Sequence, residues 1–402
     1  LQPDVDFWTD IFTRYTTNQR VLHDSRNLAE VYEQNDFKSS DGRRTRQRAA
    51  GNRRDALMTI LRSLATGKRE NLSAEVARVL ALWPDDVSYA TLSRAVDQIR
   101  YQQGLRDRFQ EGLIRAGRWR DFINTEFRAL GVPIEMAALP HVESSYNPAA
   151  RSNVGASGIW QFTRSTGRRF MQVDHVLDER NDPFVASQSA GKLLAYNYSI
   201  AGNWPMAITA YNHGLGGVRR AMREYGDTNY VDIFREYDGR TFGFASRNFY
   251  VAFLAAKHVD QNVDQYFPDL VVDDPVDFEV IRLDSYIALE DLSDGLGVSE
   301  KELAENNLAL QATILTGNKH VPAGFEVRVP RAVLAEPADR LVAGIPSASW
   351  QSEQLPDLFH TVGRGDTLSQ IAETYKTRVS TLVALNGLRS SHSIREGQKL
   401  RL

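Results

Sequence analysis

One carboxyl group in this chain is placed where an acid can be kept neutral. Glu143 closes an apolar run in which Ile134, Ala138 and Val142 recur at i, i+4 and i+8. It follows Leu139 by four residues and Met136 by seven, so on a helix it points along a second apolar ridge. A carboxyl group held against Leu and Met side chains loses hydration, which favours its neutral form and makes it a proton donor near neutral pH. Spacing alone leaves a second reading open, a helix-end glutamate facing water. Pro133 suits the first turn of the supporting helix, and Pro140 is expected to bend or shorten it.

Downstream, Ser152, Asn153, Gly155, Ser157 and Gly158 permit tight turns and close backbone approach, as in a groove for a bulky polymer or an ordinary surface loop. Trp160 and Phe162 are expected as apolar walls around Glu143, and the Gln161 amide can both donate and accept a hydrogen bond. Tyr211 and Asn212 end a helical stretch just before Gly214, Gly216 and Gly217. Read alone, such a pair is equally a surface or core feature.

In chain order, Glu143-Ser144, then Gly155-Ala156-Ser157-Gly158-Ile159-Trp160-Gln161, then Ala210-Tyr211-Asn212 resemble the three motif blocks of the soluble lytic transglycosylase (SLT) family, relatives of goose-type lysozyme. The usual forms are Glu-Ser, Gly-Leu-Met-Gln and Ala-Tyr-Asn. Ile159-Trp160 in place of Leu-Met is the variant of the D-type branch of the membrane-bound lytic murein transglycosylases. The resemblance covers roughly residues 101–267. It implies that Glu143 is catalytic and that Ser144, Gly158, Ile159, Trp160, Gln161, Tyr211, Asn212 and Tyr250 bind substrate. Many members carry Glu four residues before the tyrosine matched by Tyr250; here Ser246 stands there, so any brace that Glu supplies is lost or replaced.

Composition bounds the remainder. A chain of 402 residues with 42% hydrophobic content suggests two or three globular domains. A net charge of -3 carries no nucleic-acid signature. The basic run Arg43, Arg44, Arg46, Arg48, Arg53 and Arg54 reads as a solvated helix face or a contact with anionic wall polymer or membrane. Without cysteine there is no disulfide and no thiolate ligand or nucleophile, and the eight histidines lack metal-ligand spacing, so neither metal nor cofactor is expected. No apolar run reaches the length of a membrane span. The start at Leu1 reads as a trimmed or mature chain, since members of the family often carry an export signal or a lipidated cysteine ahead of it. The expectation is a monomer in the periplasm or cell envelope, with outer-membrane attachment through a segment absent here left open.

The expected fold is mainly α: a helical, lysozyme-like catalytic domain over 101–267, an N-terminal helical layer over 1–100, and two small C-terminal modules. In the N-terminal layer, residues 7–15, 26–35, 55–65 and 74–83 are read as helices, with Leu57, Ile60, Leu61 and Leu64 on one face, and no chemistry is assigned to them. Pro268 to Pro275 marks a linker, after which the chain repeats itself. At a constant offset of 79 (368 − 289), Leu289 matches Leu368, Leu292 matches Ile371, Leu303 matches Leu382 and Asn307 matches Asn386. The second copy, 358–402, resembles a LysM module, a βααβ fold that binds N-acetylglucosamine-containing glycans, which implies glycan contact near Gly365, Asp366, Thr367, Leu368 and Asn386. The first, 276–330, is degenerate, with Tyr286-Ile287-Ala288-Leu289 in place of Gly365-Asp366-Thr367-Leu368, and 331–357 reads as a short helix and polar linker.

Three functions compete: a lytic transglycosylase on peptidoglycan glycan strands, a hydrolytic lysozyme of the goose type, and a non-catalytic wall-binding protein. The last predicts loss of the acid, and Glu143 is present in an intact block. Hydrolysis by the two-carboxylate route needs a partner acid, yet no Asp or Glu occurs between Ser144 and Val173, so a partner would have to be Asp174, Asp178, Asp182 or a later acid brought close by the fold. That favours one acid. The resemblance implies the corresponding route: Glu143 protonates the β-1,4 bond between N-acetylmuramic acid and N-acetylglucosamine, then deprotonates the muramic acid 6-hydroxyl, which closes a 1,6-anhydro ring.

Overall fold

The structure, a computed structural model, describes residues 1–225, 230–390 and 393–402. With 51% helix and 11% strand the chain is mainly α. It divides into two compact units, Leu1–Asn147 with Ala190–Asp274, and Pro148–Ser189 with Pro275–Leu402. This division departs from contiguous segments, because residues 148–189 group with the C-terminal third.

The first unit is built around the helix Phe244–Gln261, which packs against the helices Gln2–Thr13, Trp204–His213 and Leu139–Glu143. Its buried residues recur at the spacing a helix needs to face neighbours on several sides: Phe249, Val251, Ala252, Phe253, Ala255, Ala256 and Val259. Ile11, Phe12, Phe109 and Met206 complete this core. A second cluster, including Leu22, Tyr32, Leu57, Leu61, Leu64 and Leu92, joins the helices Arg43–Ala65 and Tyr89–Val96 to a three-stranded antiparallel sheet.

That sheet corrects the all-helical reading of the N-terminal region. Residues 26–35, expected as helix, are a turn followed by the strand Val31–Asp36, which pairs with Gln19–Asp24; Ile99–Gln103 pairs on the other side. The Asp24 carboxylate accepts from the N–H groups of Arg26 (2.7 Å) and Asn27 (2.9 Å), fixing a turn where a helix would begin. Helix propensity in Leu28, Ala29 and Glu30 is a few tenths of a kcal/mol per residue, roughly, and cross-strand pairing with a buried Tyr32 overrides it.

In the second unit the strands Phe278–Arg282 and Glu326–Pro330 pair antiparallel around the helices Leu289–Leu296 and Glu300–Asn306. Phe359–Thr361 and Lys399–Arg401 do the same around Leu368–Thr374 and Val379–Leu385. The intervening 331–357 is no free linker. Ala338 and Ile345 are buried in the first module's core, and Trp350–Gln351 pairs with Tyr286–Ile287. Gly295 makes room for this: a Cβ there would lie 2.3 Å from Ile345 Cγ1. Among the described residues no helix is long and apolar enough to cross a membrane.

Candidate active site

Glu143 is the last residue of the short helix Leu139–Glu143, which continues from the 3-10 turn Ile134–Ala138. Pro140 occupies the first turn of that helix, so it starts the helix instead of bending it. The next residues, Ser145 and Tyr146, have φ of 52° and 55°. Left-handed backbone at non-glycine residues costs roughly 1–3 kcal/mol each and persists only where the surroundings enforce it. Here the Arg115 guanidinium donates to Ser145 O at 2.8 and 3.1 Å, and the buried Tyr146 hydroxyl donates to Ala137 O.

Two residues before the acid, His141 stacks on Phe109 at 4.8 Å, and its Nε2 lies 3.2 Å from Asp260 Oδ1. Arg120 grips the same carboxylate through two contacts of 2.6 Å. Burial alone would raise Asp260, but the His141 hydrogen bond and the Arg120 pair outweigh it and hold the carboxyl well below its usual range. The chain on both sides of Glu143 is thereby locked.

The acid borders a cavity of about 290 Å³ within the first unit. Leu105, Val142, Phe249 and Ala252 supply apolar wall, and Glu143 is the sole carboxyl-bearing residue among the described residues that line it. Lost hydration pushes Glu143 up to about 8, and among the described residues no hydrogen bond to its carboxyl offsets that loss. Burial first, and then the Glu143 charge, push Tyr211 well above its ordinary value, so the phenol keeps its proton within electrostatic reach of the acid.

Tyr211 and Asn212 occupy the last turn of the helix Trp204–His213, which Asn203 caps by accepting from Met206 N at 3.0 Å and which stops at Gly214. Asn212 lines the cavity. Its Oδ1 accepts from Ser246 Oγ at 3.2 Å, and Ser246 also meets His213 Nδ1 at 3.1 Å, so Ser246 serves as a brace. Tyr250, on the long helix Phe244–Gln261, packs edge-on to Tyr230 with centroids 4.8 Å apart.

The N-terminal segment, to which the sequence assigned no chemistry, also lines this cavity. Trp8 and Phe12 come from the first helix, Arg100 and Gln102 from the strand Ile99–Gln103. Trp8 Nε1 reaches Asn248 Oδ1 at 3.5 Å, and the Arg100 guanidinium lies 4.3 Å from the centre of the Phe244 ring. Trp8 and Phe12, four apart on an apolar face, read as ordinary core, and Arg100 sits in no motif.

The Gly-Ile-Trp-Gln block belongs to the second unit. Ile159, Trp160 and Phe162 are at most 2% exposed, and Trp160 Nε1 donates to Ser187 Oγ at 2.8 Å, so these side chains are interior. Trp160 and Phe162 were expected as apolar walls around Glu143; their burial makes them support of the turn. Gly158 has φ +79°, and a Cβ there would collide with Arg180 O at 1.7 Å. Gln161, at φ 49°, donates to Ala150 O (3.1 Å) and Gly158 O (2.8 Å). Arg180, which sequence reasoning missed, donates to Gly155 O and Phe162 O and pairs with Asp178 through contacts of 2.8 and 2.7 Å.

Asp174, Asp178 and Asp182 are each committed to other groups. Asp178 is fully buried against Arg180, and Asp182 pairs with Arg328 while accepting from Phe184 N and Val185 N. Asp174 accepts from Val176 N and Leu177 N. Among the described residues no group of three His, Asp or Glu could hold a metal ion.

In the C-terminal module Gly365 has φ +90°, Asp366 Oδ2 accepts from Gly363 N (2.8 Å) and meets His360 Nε2 (2.7 Å), and Thr367 closes a capping box with Gln370. Leu368 is core, 1% exposed. Asn386 spends its amide on the module's own backbone, donating to Leu382 O and Arg401 O and accepting from Arg401 N. Asn307 does the same with Leu303 O, Arg328 O and Arg328 N. The repeated asparagine is therefore a fold clamp.

Residues 126–234 match the family model of the Transglycosylase SLT domain, and residues 360–402 match that of the LysM domain. Over 305 residues, 71% of this chain, the sequence is 27% identical to membrane-bound lytic murein transglycosylase D of Escherichia coli K12 and spans 64% of that protein's length. Among solved structures, the 70 kDa soluble lytic transglycosylase Slt70 of Escherichia coli is similar over 57% of this chain and 45% of its own, at 17% identity and a TM-score of 0.32. An inactive variant of lytic transglycosylase Slt from Pseudomonas aeruginosa is similar over 38% of this chain and 25% of its own, at 23% identity and a TM-score of 0.29. Residues 126–234 are thus similar to the Transglycosylase SLT domain and residues 360–402 to the LysM domain, with the Glu-Ser, Gly-Ile-Trp-Gln and Ala-Tyr-Asn blocks falling in order within the first match.

Proposed function

We propose that this protein is a peptidoglycan lytic transglycosylase of the cell envelope, cutting the β-1,4 bond between N-acetylmuramic acid and N-acetylglucosamine with Glu143 as the only catalytic carboxyl. The observation that carries this is Glu143 itself: neutral at pH 7, on an apolar-walled cavity that no second carboxyl lines among the described residues, while Asp174, Asp178 and Asp182 are held by other groups.

A neutral Glu143 donates its proton to the glycosidic oxygen as the anomeric C–O bond breaks. The resulting carboxylate then takes the proton of the muramic acid 6-hydroxyl, whose oxygen bonds to the anomeric carbon. Glu143 ends protonated, no water is consumed, and the product carries a 1,6-anhydro ring. The nucleophile is tethered to its target, so a second protein carboxylate is dispensable. Tyr211 supplies a hydroxyl within electrostatic reach of the acid, and Asn212, Arg100 and Gln102 supply polar contacts along the cavity. In the LysM module the glycan contact falls to the loop at Gly365, Asp366 and Thr367 in this reading, which the burial of Leu368 and the backbone bonds of Asn386 support. Chromatography of the fragments released from purified wall tests the reading: anhydro ends support it, and reducing ends in their place would establish a lysozyme.

A further inference from the structure

The second unit contains a cavity of about 200 Å³ in which Arg151, Arg164 and Arg168 converge with Arg401, Gln311 and Thr381. Three separate stretches build it: the loop and short helix around the Gly-Ile-Trp-Gln turn, the first repeat, and the helix Val379–Leu385 of the LysM module. Arg401 is already paired, with Asp357 at 2.9 Å, and the one carboxylate of the lining, Asp174, is engaged by Val176 N, Leu177 N and the Gln172 amide. Arg151, Arg164 and Arg168 make no ion pair among the described residues. Arg168 is aimed by its Nε, which donates to Val173 O at 3.0 Å.

Like charges gathered on a concave surface repel one another, and an arriving anion relieves that repulsion. Partial burial, together with the charges of Arg180, Arg168 and Arg151, outweighs the pull of Asp178 and lowers Arg164 from the ordinary arginine value, which is the mark of a crowded cationic site. Isolated arginines on a convex face would simply be solvated. These share a cavity with the LysM helix.

We propose that this arginine-lined cavity is an anion site that takes a carboxylate of the peptide stems of peptidoglycan, so that the second unit reads peptide as well as glycan. The planar two-oxygen head of a carboxylate matches the guanidinium fork. Phosphate offers similar chemistry, and the wall can present it through anionic polymers. The inference rests on the reading of peptidoglycan as substrate.

The test is an equilibrium pull-down of the full chain at low salt on three materials: intact purified wall, the same wall with its carboxyl groups converted to amides, and glycan strands stripped of peptide by an amidase. The variant is Arg164→Gln with Arg168→Gln, both exposed and remote from any core, with its fold checked by circular dichroism. On intact wall the variant binds about tenfold more weakly than wild type, and on the other two materials the pair bind alike. Wild type loses the same factor when the wall is amidated. Equal binding of variant and wild type to intact wall overturns the proposal, as does an equal loss on all three materials. A variant defect that survives amidation would assign the site to phosphate and overturn the carboxylate. Failure of wild type to bind even stripped glycan would instead bring down the peptidoglycan reading itself.

Discussion

Ser246 Oγ donates to Asn212 Oδ1 at 3.2 Å, and the same oxygen lies 3.1 Å from His213 Nδ1. A serine has one proton to give, so His213 presents Nδ1–H to Ser246 while Asn212 receives from it. The small hydroxyl thus does for Asn212 what a longer acidic side chain could do, and adds no second carboxylate to the cavity.

Ser246→Ala unties Asn212 at the rim without opening a core. Turnover of purified wall is expected to fall about fivefold, the worth of one neutral hydrogen bond, with thermal stability nearly unchanged. A melting-temperature loss that accounts for the whole activity loss would contradict the positioning role.

Glu143 also predicts a pH dependence whose sign is fixed. The acid must be neutral to donate, so the rate falls as pH rises through about 8, by roughly tenfold for each unit beyond it. Stability moves the same way. The folded carboxyl is raised from 4.5 to about 8, so between those values the unfolded chain releases its proton while the folded chain keeps it, and stability falls with rising pH. Glu143→Gln removes this loss: near pH 8 it should be more stable than wild type by up to about 4 kcal/mol, and near pH 4.5 the two should be similar. Urea unfolding at both pH values checks the sign, and its inactivity on wall checks the chemistry.

Arg100 tests the unexpected share of the N-terminal segment in the site. Arg100→Ala removes a charge from the cavity wall and a stacking contact on Phe244, for a stability cost of about 0.5–1 kcal/mol. The Michaelis constant on wall fragments is expected to rise about fivefold with little change in kcat, because the guanidinium positions polymer and carries no proton. An unchanged Michaelis constant would leave Arg100 a structural residue.

How much of this could be read in advance depended on whether a residue lay in a local pattern. Glu143, Tyr211 and Asn212 stand in compact blocks, so type and order were enough to single them out as candidates. Trp8 and Arg100 reach the same cavity from more than forty residues upstream of the acid, Trp8 on the first helix and Arg100 on a strand of the N-terminal sheet, and only tertiary packing reveals it. Trp160 was visible as part of a motif, but whether a motif aromatic lines a cleft or props a turn depends on burial. Residues 331–357 looked like linker because their buried groups, Ala338 and Ile345, are widely spaced among polar neighbours and have no period to follow.

Asn386 shows the same limit within the repeat. Asn386 was expected near the glycan contact, whereas it and its counterpart Asn307 both tie a helix end to the closing strand. Asn386→Ala should cost the LysM module about 1–3 kcal/mol by leaving backbone groups unpaired. Glycan affinity measured at low temperature, where the module stays folded, should be close to wild type.

The central claim is that one acid cuts the strand without water. Purified wall digested in water enriched in heavy oxygen, with the released muropeptides weighed by mass spectrometry, tests it most directly. The account predicts muramic acid termini lighter than reducing ends by one water and free of label. Reducing termini that each carry one heavy oxygen from the solvent would contradict it.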